Sequence, residues 1–297
     1  TGSIGAGGSA LVLINGVEGD LNSVNPADVE SVSVLKDASS AAIYGARGAF
    51  GVILVTTKNA TAGKTKINYN GSFSMHQRTV KTEDGIVSNG LQWTDGWYTA
   101  YLEGQEAPPG GINNVFKYST DWYNELVRRD ADPSLDKVRV NDKGEYEYFG
   151  NTNWLDIIYK DQNYSTEHNV SISGGNERAR YYVSGRYYNQ DGIYNAGDEK
   201  YTQYNIRSKG EIQINKSLLL ENNTDVMIFR SHQPMVMYDR QNITRQAQHQ
   251  GYPVTMEKNP DGTWTEAAVY IGWAGFVEGT SWQKDNKLDV RNTTTLT

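Results

Sequence analysis

From Lys64 onward, apolar and polar positions alternate with a period of two, the repeat of a β-strand whose two faces meet different surroundings. Ile67, Tyr69, Gly71, Phe73 and Met75 share one face, and Asn68, Asn70, Ser72, Ser74 and His76 share the other. Val170 and Ile172 then oppose Ser171 and Ser173, and Tyr181, Val183, Gly185 and Tyr187 oppose Tyr182, Ser184, Arg186 and Tyr188. The fourth run is the clearest: Tyr204, Ile206, Ser208, Gly210, Ile212 and Ile214 alternate with Asn205, Arg207, Lys209, Glu211, Gln213 and Asn215. Leu218, Leu220, Val226 and Ile228 against Glu221, Asn223 and Asp225 make a fifth, and Leu288, Val290 and Leu296 against Asp289 and Arg291 a sixth.

A strand face carrying successive charged and amide side chains must meet water, so the opposite face needs a second sheet or lipid. The connections discriminate between the two. Short turns at Gly174–Glu177 and Asn215–Ser217 alternate strictly with long connections over 77–166, 189–201 and 231–286. That alternation puts every long connection at one end of the sheet, as outer-membrane barrels do. The rival is a soluble β-sandwich with insertions.

Residues 1–60 have another rhythm. Leu11–Ile14 reads as a buried strand ended by Asn15-Gly16, and Val29–Leu35 as a half-buried strand with Val32 and Val34 on one face. Asp37 is a fitting N-cap for a small-residue helix from Ala38 to Tyr44, with Gly45 as its stop. Gly51–Thr57 is a further buried strand, completing a small α/β unit.

Composition narrows the classes. The 297 residues carry a net charge of -7, no Cys and 37% hydrophobic residues, with no apolar run long enough for a transmembrane helix. Barrel strands escape that test, because half their residues face a polar lumen. An acidic chain without a basic run argues against nucleic-acid binding. The first residues lack a signal-peptide pattern and the last stop inside a strand-like alternation, so both ends read as cuts in a longer protein.

Candidate chemistry is thin. Gly63-Lys64-Thr65 has Lys58 where a phosphate loop needs Gly, and Gly5, Gly7 and Ala10 precede a strand, the wrong order for a dinucleotide fingerprint. His76, His168, His232 and His249 lack metal-ligand spacing, and Glu18 and Asp20 read as loop acids. No catalytic residue, metal site or cofactor is expected.

Three stretches carry a family resemblance: Leu11-Val-Leu-Ile-Asn-Gly-Val-Glu-Gly-Asp20, the run Asn25 to Arg47 with its Asp-Ala-Ser-Ser-Ala-Ala-Ile-Tyr-Gly-Ala-Arg, and Gly51-Val-Ile-Leu-Val-Thr-Thr-Lys58. Together they resemble the plug of SusC/RagA-type TonB-dependent outer-membrane transporters. The resemblance implies a mainly β protein, a partial transmembrane antiparallel β-barrel with a small α/β plug. Residues 1–60 would be the C-terminal part of the plug and residues 61–297 the first six barrel strands, with the long loops outside the cell. It further implies outer-membrane lipid around the barrel, a TonB complex acting through a segment outside this sequence, and a SusD-like surface lipoprotein as partner. The cargo would be an oligosaccharide, with a peptide as the alternative, and the work would be transport without catalysis. A siderophore or cobalamin receptor is the rival within transport; a soluble carbohydrate-binding or adhesin β-domain is the rival outside it. Glu30, Lys36 and Arg47 are candidates for plug–barrel ion pairs.

The Trp distribution adds one expectation. All seven (93, 97, 122, 154, 264, 273 and 282) fall in the two longest connections, none in a predicted strand. Loops this long need local cores, and Tyr118–Leu126 reads as a short capped helix, so 77–166 is expected to fold as a lobe. Trp93, Trp97, Tyr98 and Trp122 are the candidate substrate-binding aromatics, flat faces on which a sugar ring can stack.

Overall fold

The computed structural model describes residues 9–36, 41–79, 85–113, 116, 118–235, 243–280 and 282–297. Two sheets dominate. The first has the order β2-β1-β4-β3, from β1 (Leu11–Ile14), β2 (Val17–Glu18), β3 (Val29–Leu35) and β4 (Val52–Thr57). Asn15 and Gly16 adopt φ values of 50° and 84°, the pair of positive angles that closes a two-residue hairpin between β1 and β2. β4 runs parallel to β1 and antiparallel to β3, which places Val52 and Val55 in the buried centre. Asn15 ties the hairpin to the end of β4: its Nδ2 donates to Thr57 Oγ1 at 2.8 Å and its Oδ1 accepts from Thr57 N at 3.0 Å.

One expectation for this unit changes. Val32 and Val34 are 54% and 51% exposed, because β3 is the sheet edge and no described element covers that face. The predicted cap Asp37 and residues 38–40 lie outside the described residues. Beyond them the chain forms a 3-10 run, Ala42–Gly48, broken at Gly45, whose φ of 60° and ψ of -148° favour glycine.

The second sheet is an antiparallel meander of β5 (Gly63–Gln77), β8 (Gln162–Gly175), β9 (Ala179–Asp191), β10 (Lys200–Asn215), β11 (Leu218–Pro234) and β12 (Trp282–Leu296), every strand beside its predecessor in the sheet. The alternation predicted for it holds. On β10, Tyr204, Ile206, Ile212 and Ile214 are exposed while Asn205 and Arg207 are buried. Ile67, Phe73 and Leu288, each about 70% exposed, extend the same apolar outer face. One Trp departs from expectation: Trp282 begins β12, so it is a strand-end aromatic rather than a loop residue.

The long connections pack together at one end of this sheet. They contain the β6–β7 hairpin (Val138–Val140 and Tyr146–Tyr148) and helices at Gly90–Leu102, Thr120–Ala131, Trp154–Ile158, Ile243–Gln250, Glu266–Ile271 and Trp273–Glu278. Side-chain caps set several helix starts: Asn89 accepts from Gln92 N, Ser119 from Trp122 N and Thr265 from Ala268 N. The capped helix foreseen near Tyr118 is therefore present, and it runs on past Leu126 to Ala131. Two apolar cores, each drawing on both long connections, hold the lobe. Trp154 and Ile158 pack with Ile243, Ile271, Trp273 and Phe276, while Ile112, Trp122, Leu126 and Phe149 pack with Val254. Paired backbone bonds, Gly150 N to Val254 O and Thr152 N to Pro253 O, stitch the two connections together.

Candidate functional site

Polar residues of the six-stranded sheet line up in cross-strand rows, and those rows grip the first sixty residues. In one row Ser184, Arg207, Asp225 and Arg291 are register partners on β9 to β12. Arg207 Nε lies 3.3 Å from Asp225 Oδ1, so the buried guanidinium has a counter-charge beside it. Ser184 Oγ donates to Asp28 Oδ2 at 2.6 Å, and Arg291 Nη2 donates to Ser23 Oγ at 2.5 Å. In the next row Tyr182 donates to Asp28 Oδ1 at 2.7 Å, and Lys209 reaches Asn59. On the other side, Asn205 Nδ2 donates to Ser23 O at 2.7 Å, Gln203 Nε2 to Asn22 O at 3.0 Å, and Lys287 pairs with Asp20 at 2.9 Å.

The segment 20–28 suits this contact because it turns twice. Asp20 caps a 3-10 turn at Leu21–Ser23 through Asn22 N, and Asn25 caps another at Pro26–Asp28 through Ala27 N. The turns aim Ser23, Asn25 and Asp28 inward, all at most 4% exposed. The Asn22 amide first, and then Lys287, hold the Asp20 carboxyl below its usual range. Gly19 permits the close approach: a Cβ there would sit 2.5 Å from Arg291 Nη1 and 2.7 Å from Ile14 Cδ1.

These partners are not the predicted ones. Arg47 pairs with Glu18, inside the first sixty residues, because the β1–β2 hairpin presents Glu18 to the 3-10 run that carries Arg47. Glu30 and Lys36 are exposed and make no ion pair with a described residue. The contacts that do span the two sheets run mostly through hydroxyls, amides and one Lys–Asp pair. Sequence reading missed them because Ser, Tyr and Asn on a strand carry no sign of what they face.

The lobe presents the second candidate surface. Trp93 and Trp97 sit one turn apart on the helix Gly90–Leu102, with ring centroids 6.2 Å apart. Tyr252, from the other connection, stacks on Trp93 at 5.1 Å, and Phe116 lies 5.0 Å from Trp93 and 5.1 Å from Trp97. Trp97 is 46% exposed, and its neighbour Trp93 is half-buried. Tyr98 turns away to Tyr123, 5.7 Å distant. Tyr123 donates to Asp95 at 2.7 Å, and that bond, with burial, pushes its hydroxyl up to about 12. Trp122 must leave the candidate set: it is 4% exposed and stacked between Tyr118, at 3.9 Å and 11°, and Phe149. Its helix turns that face into the core. Burial likewise pushes the Tyr118 hydroxyl up to about 12. Phe116 and Tyr252 join Trp93 and Trp97 only through the fold. A polar cleft of 330 Å³ nearby, lined by Asn141, Lys143, Glu145, Tyr146 and Tyr148, was also invisible in the sequence.

Comparison with known proteins fits this geometry. The family model of the TonB-dependent receptor plug domain matches residues 2–52. TonB-dependent receptor P3 of Formosa agariphila is 31% identical over 215 residues, which are 72% of this chain and 17% of the relative. TonB-dependent receptor SusC of Bacteroides thetaiotaomicron is 33% identical over 181 residues, 61% of this chain and 14% of the relative. The chain thus spans less than a fifth of either relative. Among solved structures, the RagAB peptide importer in its open-open state superposes with a TM-score of 0.56 at 27% identity, covering 78% of this chain and 25% of that one. In its closed-closed state the coverage is 90% of this chain and 29% of that one, at a TM-score of 0.59 and 23% identity, a likeness of fold.

Proposed function

The chain is a segment of a SusC/RagA-type TonB-dependent receptor, and from that premise we propose that the whole protein imports an oligomeric nutrient across the outer membrane of a Gram-negative bacterium. Residues 1–60 act as the C-terminal part of the plug, and residues 61–297 as the opening strands of the barrel wall. The observation that carries this reading is the grip of the inward polar rows on segment 20–28, with Asp28 held by Tyr182 and Ser184. A plug held at this seam mainly by polar contacts, which water can replace one by one, can be released by a pull transmitted from TonB. The exposed apolar outer face supports lipid as its neighbour over the second sheet that a soluble carbohydrate-binding domain would need.

On this reading the lobe stands outside the cell, where a SusD-like lipoprotein would close over the cargo. The exposed Trp97, clustered with Trp93, Phe116 and Tyr252, favours a ligand with flat apolar faces, and an oligosaccharide meets that description. A peptide is the second reading, favoured by the likeness to the RagAB peptide importer. Titrating the whole receptor, alone and with its lipoprotein, against oligosaccharide and peptide mixtures tests the choice. Saturable binding of neither class, by receptor that fractionates with the outer membrane, would refute the import of both.

A further inference from the structure

The outer face of the six-stranded sheet changes character along its length. On β10 its apolar positions run from Ile214 through Ile212 and Ile206 to Tyr204. That stretch spans about 34 Å along the strand and about 26 Å along the axis of a barrel tilted by about 40°. An outward apolar band is about 25 Å tall, so Tyr204, with its register partners Ile228 and Leu288, marks the upper border.

Just past that border the face turns basic. The next row is Thr202, Arg230 and Asn286, and the one after is Lys200, His232 and Lys284. Trp282 comes next, opposite Pro234. Two carboxylates lie beside Lys200: its Nζ is 3.0 Å from Asp198 Oδ1, and Asp191 is its register partner on β9. Arg230 and Lys284 are exposed and have no ion-pair partner among the described residues. They are diagonal neighbours across β11 and β12, which sets their Cα atoms about 7–8 Å apart, within joint reach of one phosphate group. Between them His232 is fixed, its Nδ1 3.0 Å from Asp198 O and its ring stacked on Trp282 at 4.2 Å and 21°.

We propose that Arg230 and Lys284, with the His232–Trp282 stack, form an outward-facing site for the phosphorylated headgroup of an outer-leaflet lipid. The position argues for a lipid over a soluble anion. The cations crown an apolar band that acyl chains would cover, and Trp282 is the kind of amphipathic ring that sits at headgroup level. Cations on this face would be costly one or two rows lower. The site rests on the proposed outer-membrane placement of the barrel, with the long connections outside.

The test uses the whole receptor in mild detergent, with phosphorylated lipid A, dephosphorylated lipid A and inorganic phosphate as probes, read by native mass spectrometry. Wild type should retain phosphorylated over dephosphorylated lipid A by about tenfold, and Arg230→Ala with Lys284→Ala should abolish that preference. The pair Arg230→Lys and Lys284→Arg should keep it, as should Lys143→Ala in the lobe. Equal retention by the double-alanine variant would overturn the site, and so would displacement of the lipid by inorganic phosphate. Heat-modifiable gel mobility checks folding, and Lys284→Gln alone serves if the double variant fails it. A receptor absent from the outer-membrane fraction would instead refute the placement itself, so the two failures are distinguishable.

Discussion

Asp28 and Tyr182 lie 154 positions apart in sequence, yet the Tyr182 hydroxyl donates to the Asp28 carboxylate at 2.7 Å in a setting where both residues are at most 5% exposed. Ser184 donates to the second carboxylate oxygen at 2.6 Å. The backbone of Asp28 is held as well, its carbonyl accepting from Lys58 N at 2.8 Å. One residue thus joins the turn at Pro26–Asp28, the exit of β4 and the barrel wall.

Asp28→Ala should loosen the plug without harming barrel assembly. It strands two buried hydroxyls, at a cost of about 1–3 kcal/mol. Hydrogen exchange on the whole receptor should show faster exchange in 20–35 and unchanged exchange in β9 and β10. Unchanged protection of 20–35 would remove Asp28 as the anchor.

The two faces of β10 should tolerate charge differently. Ile212 is 50% exposed on the outer face, and Gln213 points inward, its Nε2 donating to Leu218 O at 3.2 Å. Ile212 lies below the midplane of the apolar band that runs from Ile214 to Tyr204, so Ile212→Lys should cost about 1–2 kcal/mol, between the interface and midplane values, and Gln213→Lys much less. Folding titrations into lipid vesicles would show this, and equal costs would contradict a lipid-facing even register.

Trp97 and Trp122 should separate binding from folding. Trp122→Ala empties a stacked core position and should destabilise the lobe by about 3–5 kcal/mol. Trp93→Ala with Trp97→Ala should weaken cargo binding by about 1–3 kcal/mol in total, with the receptor still assembled. Calorimetric titration against the cargo, beside lobe proteolysis, distinguishes them; unaltered affinity would reduce Trp93 and Trp97 to packing.

Acid should weaken the Asp20 contact. The folded-state carboxyl lies below its ordinary 3.8, chiefly through the Asn22 amide and then Lys287. A depressed carboxylate adds stability above its unfolded pKa and loses it as pH falls through the folded one. The effect is small, because the side chain is 40% exposed. Amide protection factors over 20–24, taken against intrinsic exchange at each pH, should fall below about pH 4, and Asp20→Asn should remove that dependence while lowering protection at neutral pH.

A glycine test probes the same seam. Gly19→Val should displace Arg291, since even a Cβ would meet its Nη1 at 2.5 Å. Faster hydrogen exchange in segment 20–28 is the expected result, and a neutral outcome would mean that the arginine yields freely.

The strands of the large sheet, their alternating faces and the strict succession of short and long connections were all legible in the chain alone. Those are local properties: a period of two needs no distant partner, and turn residues such as Asn15 and Gly16 act through their own backbone angles. The plug motif was legible for the same reason, being one continuous stretch. Every pairing across the chain, by contrast, came from the folded arrangement. Asp28 met Tyr182 and Ser184, Arg47 turned to Glu18, and Trp122 became core while Trp97 stayed open, outcomes set by which surfaces the folded elements bring together. A Ser or Trp looks the same in sequence whether it faces a plug, a neighbouring ring or water, and burial, which long-range packing alone creates, gives it its role.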